Sequence, residues 1–428
     1  MISSNFKRLS FVAFALFFSC KSSDNNSLVY WSVGSATNDN YVHSDLFNAK
    51  SEFHVETISV PWTEYDKKTL TAILSGNPPD IMSQFAPLKT WASRRSLLSL
   101  DSFIKNDNFD TTQFFKFLWD EMKWENKIYG IPINTSSYAF FCNMDHFNNL
   151  GIYETPSTWD EVKVIAKKMN RYDKNGNLIR AGFLPNYGNF MTTNVIAWQL
   201  GEKYFTNDNE VRLNTPQVKE SFLWVKNFID EIGLDKALKL IGSFGFADQH
   251  GFISGKVGMM ILDSSFPKLL EKYNPNLNYK VIPIPSYNGS KSISSAAVWW
   301  VGIPRGVKNP EKSWEFIKFL SSTQNQLDYL NKTNESLFSA NIIAAKDSIN
   351  YSFPYYNVFM DQLEVSESPS IFPLVHDIFW REYKMAQDKV ILSDLPASQV
   401  LESAEYNVQT SLDKALKYYE YVSEELNE

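Results

Sequence analysis

The chain of 428 residues is longer than a single hydrophobic core usually grows, so two or more domains are expected. Its composition, 44% hydrophobic and 21% charged, excludes a disordered chain and a polytopic membrane protein, and a formal net charge of −7 leaves no basic excess for a nucleic-acid partner. The 32 Phe, 21 Tyr and 12 Trp residues fit a large aromatic core or, for some of them, exposed platforms for a ligand with apolar faces, such as a sugar ring.

Taken in order, the first informative segment is the N-terminus. Lys7 and Arg8 precede the uncharged run 9–18, which Ser19 and Cys20 close. That run is too short for a bilayer-spanning helix and has the layout of an export signal over 1–19. The polar residues 21–27 (KSSDNNS) read as a tether. The segment resembles a bacterial lipoprotein signal, cleaved before Cys20 and lipidated there, although Phe17 and Phe18 stand where a leucine and a small residue are usual. A plain secretory signal with a coincidental cysteine is the other reading.

Residues 28–33 (LVYWSV) and 54–60 (HVETISV) read as strands, the first ending at Gly34 and Ser35. Over 63–74, Tyr65, Leu70, Ile73 and Leu74 share a helical face, and Gly76 with Pro78 and Pro79 stops that helix. Pro79 and Asp80 shape a turn into a third strand, which ends near Gln84 and Phe85. Strand, helix and strand in alternation predict βαβ units in a mainly parallel sheet, where ligands sit beyond the carboxyl ends of the strands.

The stretch 127–143 (KIYGIPINTSSYAFFCN) holds two apolar runs around the small polar residues 134–137. Two readings stay open for it: a hairpin, or one chain passing between two lobes with the polar residues in the cleft. Thr158 is a candidate N-cap for the helix that follows. Asp173, Asn175 and Asn177 alternate as in a calcium loop, but Leu184 stands where the bidentate acid would be needed, so an Asn–Gly hairpin is the better account. An aromatic and amide-rich loop, 183–190, precedes a helix. A long amphipathic helix is predicted over 215–232, and a buried strand, 255–263, ends at Asp263, Ser264 and Ser265.

The chemistry of a catalyst is not apparent. No nucleophile elbow, phosphate loop, zinc-protease motif or paired-cysteine motif is present, and the five histidines are scattered. His146 reads as a surface or capping residue and Cys142 as a small buried hydrophobe. No metal or cofactor is expected. A glycosidase carboxylate pair stays open, since no pair stands out among many acidic residues.

Several motifs occur in a recognisable series. They are Trp62-x-x-Tyr65, SGNPPDI from Ser75, LLSLD from Leu97, NKIYGIPINTSSYAFFCNMDHF from Asn126, PSTWDEV from Pro156, FISGKVGMMILD from Phe252, and NPEKSWEFIKFLSS from Asn309. The series resembles the extracellular solute-binding proteins of bacterial ABC importers, in the family-1 carbohydrate group that includes maltose-binding protein. Asn126, where glycine is common, and Cys142, where an aromatic is usual, depart from the pattern.

The resemblance implies an α/β, two-lobed, periplasmic-binding-protein-like fold of class II, each lobe a mostly parallel sheet flanked by helices, joined by a hinge. Lobe 1 would comprise 28–134 plus 297–347, and lobe 2 would comprise 135–296 plus 348–428. It implies a binding protein and not an enzyme, likewise exported and lipid-anchored to a bacterial membrane at the periplasm or cell surface. Its partners would be a neutral carbohydrate and the membrane subunits of an ABC permease, and the protein itself a monomer. A non-sugar solute, a surface glycoside hydrolase and a tethered sugar sensor are the rivals.

By motif position, Ser35, Gln84 and Phe85 in lobe 1, Asn134 and Ser136 at the crossing, and Tyr187, Phe190, Asp263 and Ser264 in lobe 2 resemble ligand-contact sites. Trp62, Trp299 and Trp300 are aromatic candidates, with core packing as the alternative for each. In a regular strand Trp299 and Trp300 cannot both face a cleft.

Overall fold

The computed structural model describes residues 26–34, 39–188, 190–206, 208–333, 337–367 and 372–425. The export signal, Cys20 and Ser35 lie outside the described residues.

Strand β1 (Ser27–Val33) pairs in parallel with β2 (His54–Val60) and with β3 (Ile81–Gln84). Helix α1 (Asp39–Asn48) connects β1 to β2, and α2 (Trp62–Leu74) connects β2 to β3, giving the expected βαβ units; α3 (Leu88–Ser93) follows β3. Asp80 accepts the amide of Val29 at 2.8 Å and so fixes the turn into β3. In α2 the inward positions are Tyr65 and Thr69, whereas Leu74, read as part of the buried face, is exposed at the helix end.

The stretch around residues 134–137 is neither a hairpin nor a loop. It is the middle of β4 (Ile131–Asn143), a single strand of 13 residues. The first half of β4 pairs antiparallel with β8 (Ala296–Gly302). The second half pairs antiparallel with β6 (Val257–Asp263) and β7 (Tyr279–Ile282). The change of partner falls between Ser137, opposite Ala296, and Tyr138, opposite Asp263. The small polar side chains survive burial because they are hydrogen-bonded: Thr135 donates to the Ala297 carbonyl at 2.9 Å, and Ser137 to that of Phe359 at 2.7 Å.

Two sheets therefore share one strand. The first runs β2-β1-β3-β8-β4, and the second runs β4-β6-β5, where β5 (Leu178–Phe183) lies parallel to β6. Both sheets are mixed: the parallel pairs expected from strand–helix alternation coexist with antiparallel pairing along β4. One face of β4 sends Ala139 and Phe141 into the core that also fills the first lobe. The other sends Phe140 and Cys142 into the core beneath α4 (Trp159–Met169).

Local signals hold in several places. Thr158 and Glu161 form a reciprocal capping box at the start of α4. Asp173 accepts the amides of Asn175 and Asn177 inside the predicted Asn–Gly hairpin. Asn126, with φ 60°, follows Glu125, with φ 48°, in a two-residue turn between short strands; asparagine tolerates that left-handed backbone. His146 is not at the surface. It is 7% exposed, packed beside β6 where a Cβ on Gly258 would come within 3.3 Å of its Nδ1.

The C-terminal helices, α5 (His376–Leu392) and α6 (Ala397–Glu425), enclose a third core with Tyr204, Phe222 and Tyr383. They also reach back to the first lobe, where Asp377 lies 3.5 Å from Arg94 and the Tyr419 hydroxyl donates to Glu125 at 2.9 Å. Among the described residues no helix is long and apolar enough to cross a membrane.

Candidate binding cleft between the lobes

The carboxyl ends of β1, β3 and β6 and the middle of β4 and β8 surround a cavity of about 620 Å³. One wall is aromatic. Trp62 opens α2, Phe85 follows the last residue of β3, and Trp299 lies on β8. The Trp62 and Phe85 rings meet edge to face at 4.6 Å between centroids, and Phe85 and Trp299 lie stacked at 6.1 Å. Trp62 and Phe85 are 44% and 47% exposed, an uncommon state for adjacent large rings and one that suits a ligand with apolar faces. Gly34 follows β1 with φ 129°, beside the Trp62 indole, which a Cβ at this position would approach to 3.6 Å.

Trp299 and Trp300 separate as strand alternation requires. Trp299 is half-buried and lines the cavity; Trp300 also borders it but is 1% exposed, and its indole N–H donates to the Ala86 carbonyl at 2.8 Å. Pairing of β8 with β4 skips Ile133 between these two residues, where Pro132 has no amide to offer the ladder.

From β4, Asn134 and Ser136 line the cavity, and from the second lobe so do Asp263 and Ser265. Asp263 Oδ1 accepts the amide of Ser265 at 2.7 Å, so the turn that follows β6 holds this carboxylate in place. It is the one carboxylate among the described lining residues, which include no lysine or arginine. Tyr138 also lines the cavity, stacked on Phe190 at 4.3 Å and 14°. Burial, with the Asp263 charge adding to it, pushes the Tyr138 hydroxyl up to about 12, so it stays protonated and able to donate.

Four candidates take other places. Gln84 is buried: its side-chain amide donates to Asp66 at 2.6 Å and its carbonyl accepts the amides of Phe85 and Ala86, fixing the turn that presents Phe85. Ser264 is fully buried, and its backbone amide donates to the Ser137 carbonyl at 3.0 Å; Ser265 occupies the cavity position instead. Tyr187 packs on Phe244 and accepts the Gly251 amide at 3.1 Å, away from the cavity. Phe190 lies behind Tyr138 and does not itself line the cavity.

Sequence reasoning missed Tyr30, Ser32, His43, Tyr138 and Tyr329, all of which line the cavity. Tyr30 and Ser32 share strand parity with Gly34, a signal that could have found them. Tyr138 likewise shares strand parity with Asn134 and Ser136, whereas Tyr329 carries no local signal, because it comes to the cavity only through tertiary packing.

A cleft between two α/β lobes, walled by aromatic rings and small polar groups and spanned by one common strand, defines a two-lobed solute-binding protein. Residues 36–327 match the bacterial extracellular solute-binding protein family, and the chain belongs to that family. It is 28% identical over 276 residues to a binding protein of Brucella abortus (strain 2308), a match spanning 61% of this chain and 62% of that one. It is 25% identical over 267 residues to a maltooligosaccharide ABC transporter solute-binding lipoprotein of Streptococcus pneumoniae serotype 4, spanning 61% and 60%. The chain thus spans less than two thirds of the length of these curated relatives. Among solved structures, CpMnBP1 with mannotriose bound has the same fold, with a TM-score of 0.77 at 24% identity over 89% of this chain and 99% of that one.

Proposed function

We propose that the protein captures a neutral sugar or oligosaccharide in the inter-lobe cleft and hands it to the membrane subunits of an ABC importer. The observation that carries this reading is the cavity lining: contacting aromatic rings from the first lobe oppose Tyr138 and Asp263 of the second, with no lysine or arginine among the described lining residues. Flat rings cover the C–H faces of a pyranose, and hydroxyl, amide and carboxylate groups bond its rim. Among the described residues the lining holds no second carboxylate to act as a glycosidase partner, which favours binding without turnover.

Lobe 1 is assigned to 28–134 plus 297–347 and lobe 2 to 135–296 plus 348–428, with the hinge at the crossing, residues 134–137 of β4. A ligand touching both lobes stabilises the closed arrangement over the open one by its extra contacts there. Export by the N-terminal signal and lipidation at Cys20 would hold a monomeric receptor at the outer face of a membrane. The sugar-binding names of the relatives support the same ligand class.

The test is a thermal-shift screen of residues 28–428 against mono- and oligosaccharides, with polyamines and short peptides as controls. A ligand that binds only the folded state raises the melting temperature with concentration. A sugar-selective rise, reduced in Trp62→Ala and Trp299→Ala, is expected. A rise with a control and with no sugar would refute the carbohydrate reading and leave a binding protein for another solute.

A further inference from the structure

His43 stands in the cavity wall on α1 and is 8% exposed. Its ring stacks on Tyr329 at 4.0 Å between centroids and 10° between planes. Tyr329 belongs to the helix Thr323–Lys332, and one turn earlier on that helix Asn325 brings its amide nitrogen 2.9 Å from His43 Nδ1. The same amide nitrogen lies 3.1 Å from the Leu320 carbonyl oxygen. That second contact fixes which end of the Asn325 amide faces the ring. A carbonyl oxygen accepts only, so the group 3.1 Å from it is the donor NH₂ and not the amide oxygen. An NH₂ donor against Nδ1 requires Nδ1 to be the unprotonated, accepting nitrogen. The ring proton therefore sits on Nε2, which makes no hydrogen bond among the described residues.

We propose that His43 is a ligand-contacting residue of the cleft, a neutral imidazole whose Nε2–H bonds an acceptor oxygen of the bound solute, with Asn325 as the positioning residue that fixes its tautomer. This rests on the sugar reading above and adds a constraint to it. Serine, tyrosine and asparagine side chains in the wall can each donate or accept. His43 in the first lobe can only donate, and the Asp263 carboxylate in the second can only accept. Two groups of fixed and opposite polarity on opposing lobes fix which way round a solute lies. A solute seated against both must turn an acceptor oxygen to the first lobe and a hydroxyl hydrogen to the second. Burial, which holds the imidazole down to about 4, keeps the ring neutral throughout the physiological range.

The experiment combines ligand titration with ¹⁵N NMR of the histidine side chains of residues 28–428, using mannotriose, maltotriose and their mono- and disaccharides as probes. In the unliganded protein the His43 spectrum should show a proton on Nε2 and none on Nδ1, and the Nε2 signal should move when a binding sugar is added. His43→Phe keeps the stack on Tyr329 and removes the donor; it should weaken binding about tenfold, the cost of one lost hydrogen bond. His43→Gln, which places an N–H near the same point, should recover most of that loss. Wild-type binding with an unmoved Nε2 signal, or undiminished affinity in His43→Phe, would overturn the proposal and leave the sugar reading intact. A protonated Nδ1 would overturn it before any sugar is added. Failure of every probe to bind the wild-type chain would overturn the sugar reading, and this proposal with it. If His43→Phe does not fold, the spectrum of the wild-type protein and the His43→Gln titration decide.

Discussion

Trp299 and Trp300 show how far one position along a strand separates two identical side chains. Trp299→Ala is expected to weaken sugar binding about tenfold with little change in folding stability, as seen by calorimetric titration. Trp300→Ala should instead cost about 3–5 kcal/mol in urea unfolding, because it empties a buried site and strands the Ala86 carbonyl. The sequence made the two positions mutually exclusive, but their phase depends on the pairing of β8 with β4. Gln84 and Ser264 were legible as residues near the site and not as buried supports, since an amide or hydroxyl serves either purpose. His43 and His146 are held near 4, each chiefly by burial. The unfolded chain takes up protons at these sites below about pH 6.5, while the folded chain resists until about pH 4. Their contribution is therefore full above about pH 6.5 and is lost as the pH falls toward 4, on the order of 3 kcal/mol for each taken alone. Urea midpoints should fall across that window, and His146→Gln should flatten part of the fall.

Among the elements, β4 was the hardest to read and is the most informative. Four small polar residues between two apolar runs resemble a loop by composition. They lie in a strand because neighbours on both sides supply partners for side chain and backbone alike, which no local window contains. The family resemblance pointed to a crossing, and the structure has there one unbroken strand whose two halves pair with different partners. Helix α4 was legible because its start is written locally, in Thr158 and Glu161. Thr158→Ala should cost about 1 kcal/mol in chemical denaturation. Contact of α4 with β5 was not legible: a Cβ on Gly182 would meet the Cα of Ala166 at 2.4 Å, so this strand position accepts no side chain. Gly182→Ala should destabilise by about 1–3 kcal/mol or more, detectable as a lower melting temperature.

For the whole molecule, the two lobes are joined by more than a covalent linker. The core that fills the first lobe continues through Phe141 to Phe252, Phe266 and Val281 of the second, and the C-terminal helices touch the first lobe at Arg94 and Glu125. Cores that share side chains lose their packing together. Differential scanning calorimetry should therefore show one transition rather than two, and a saturating sugar should move that transition upward as a unit. Separate lobe transitions would contradict this coupling.

The position of β8 also sets an order of assembly. It lies between β3 and β4, so until it is made the first sheet has three strands on one side and an unpaired β4 on the other. Strand β6, the partner of the second half of β4, is late as well: on a ribosome, synthesis of the residues between Asn143 and Val257 takes roughly six to twenty-three seconds. Throughout that interval the nascent chain carries the uncharged run Tyr138, Ala139, Phe140, Phe141 and Cys142 before β6, the strand it pairs with, exists, a template for pairing with another chain. A polypeptide of this design depends on being kept apart from its copies until its late strands arrive.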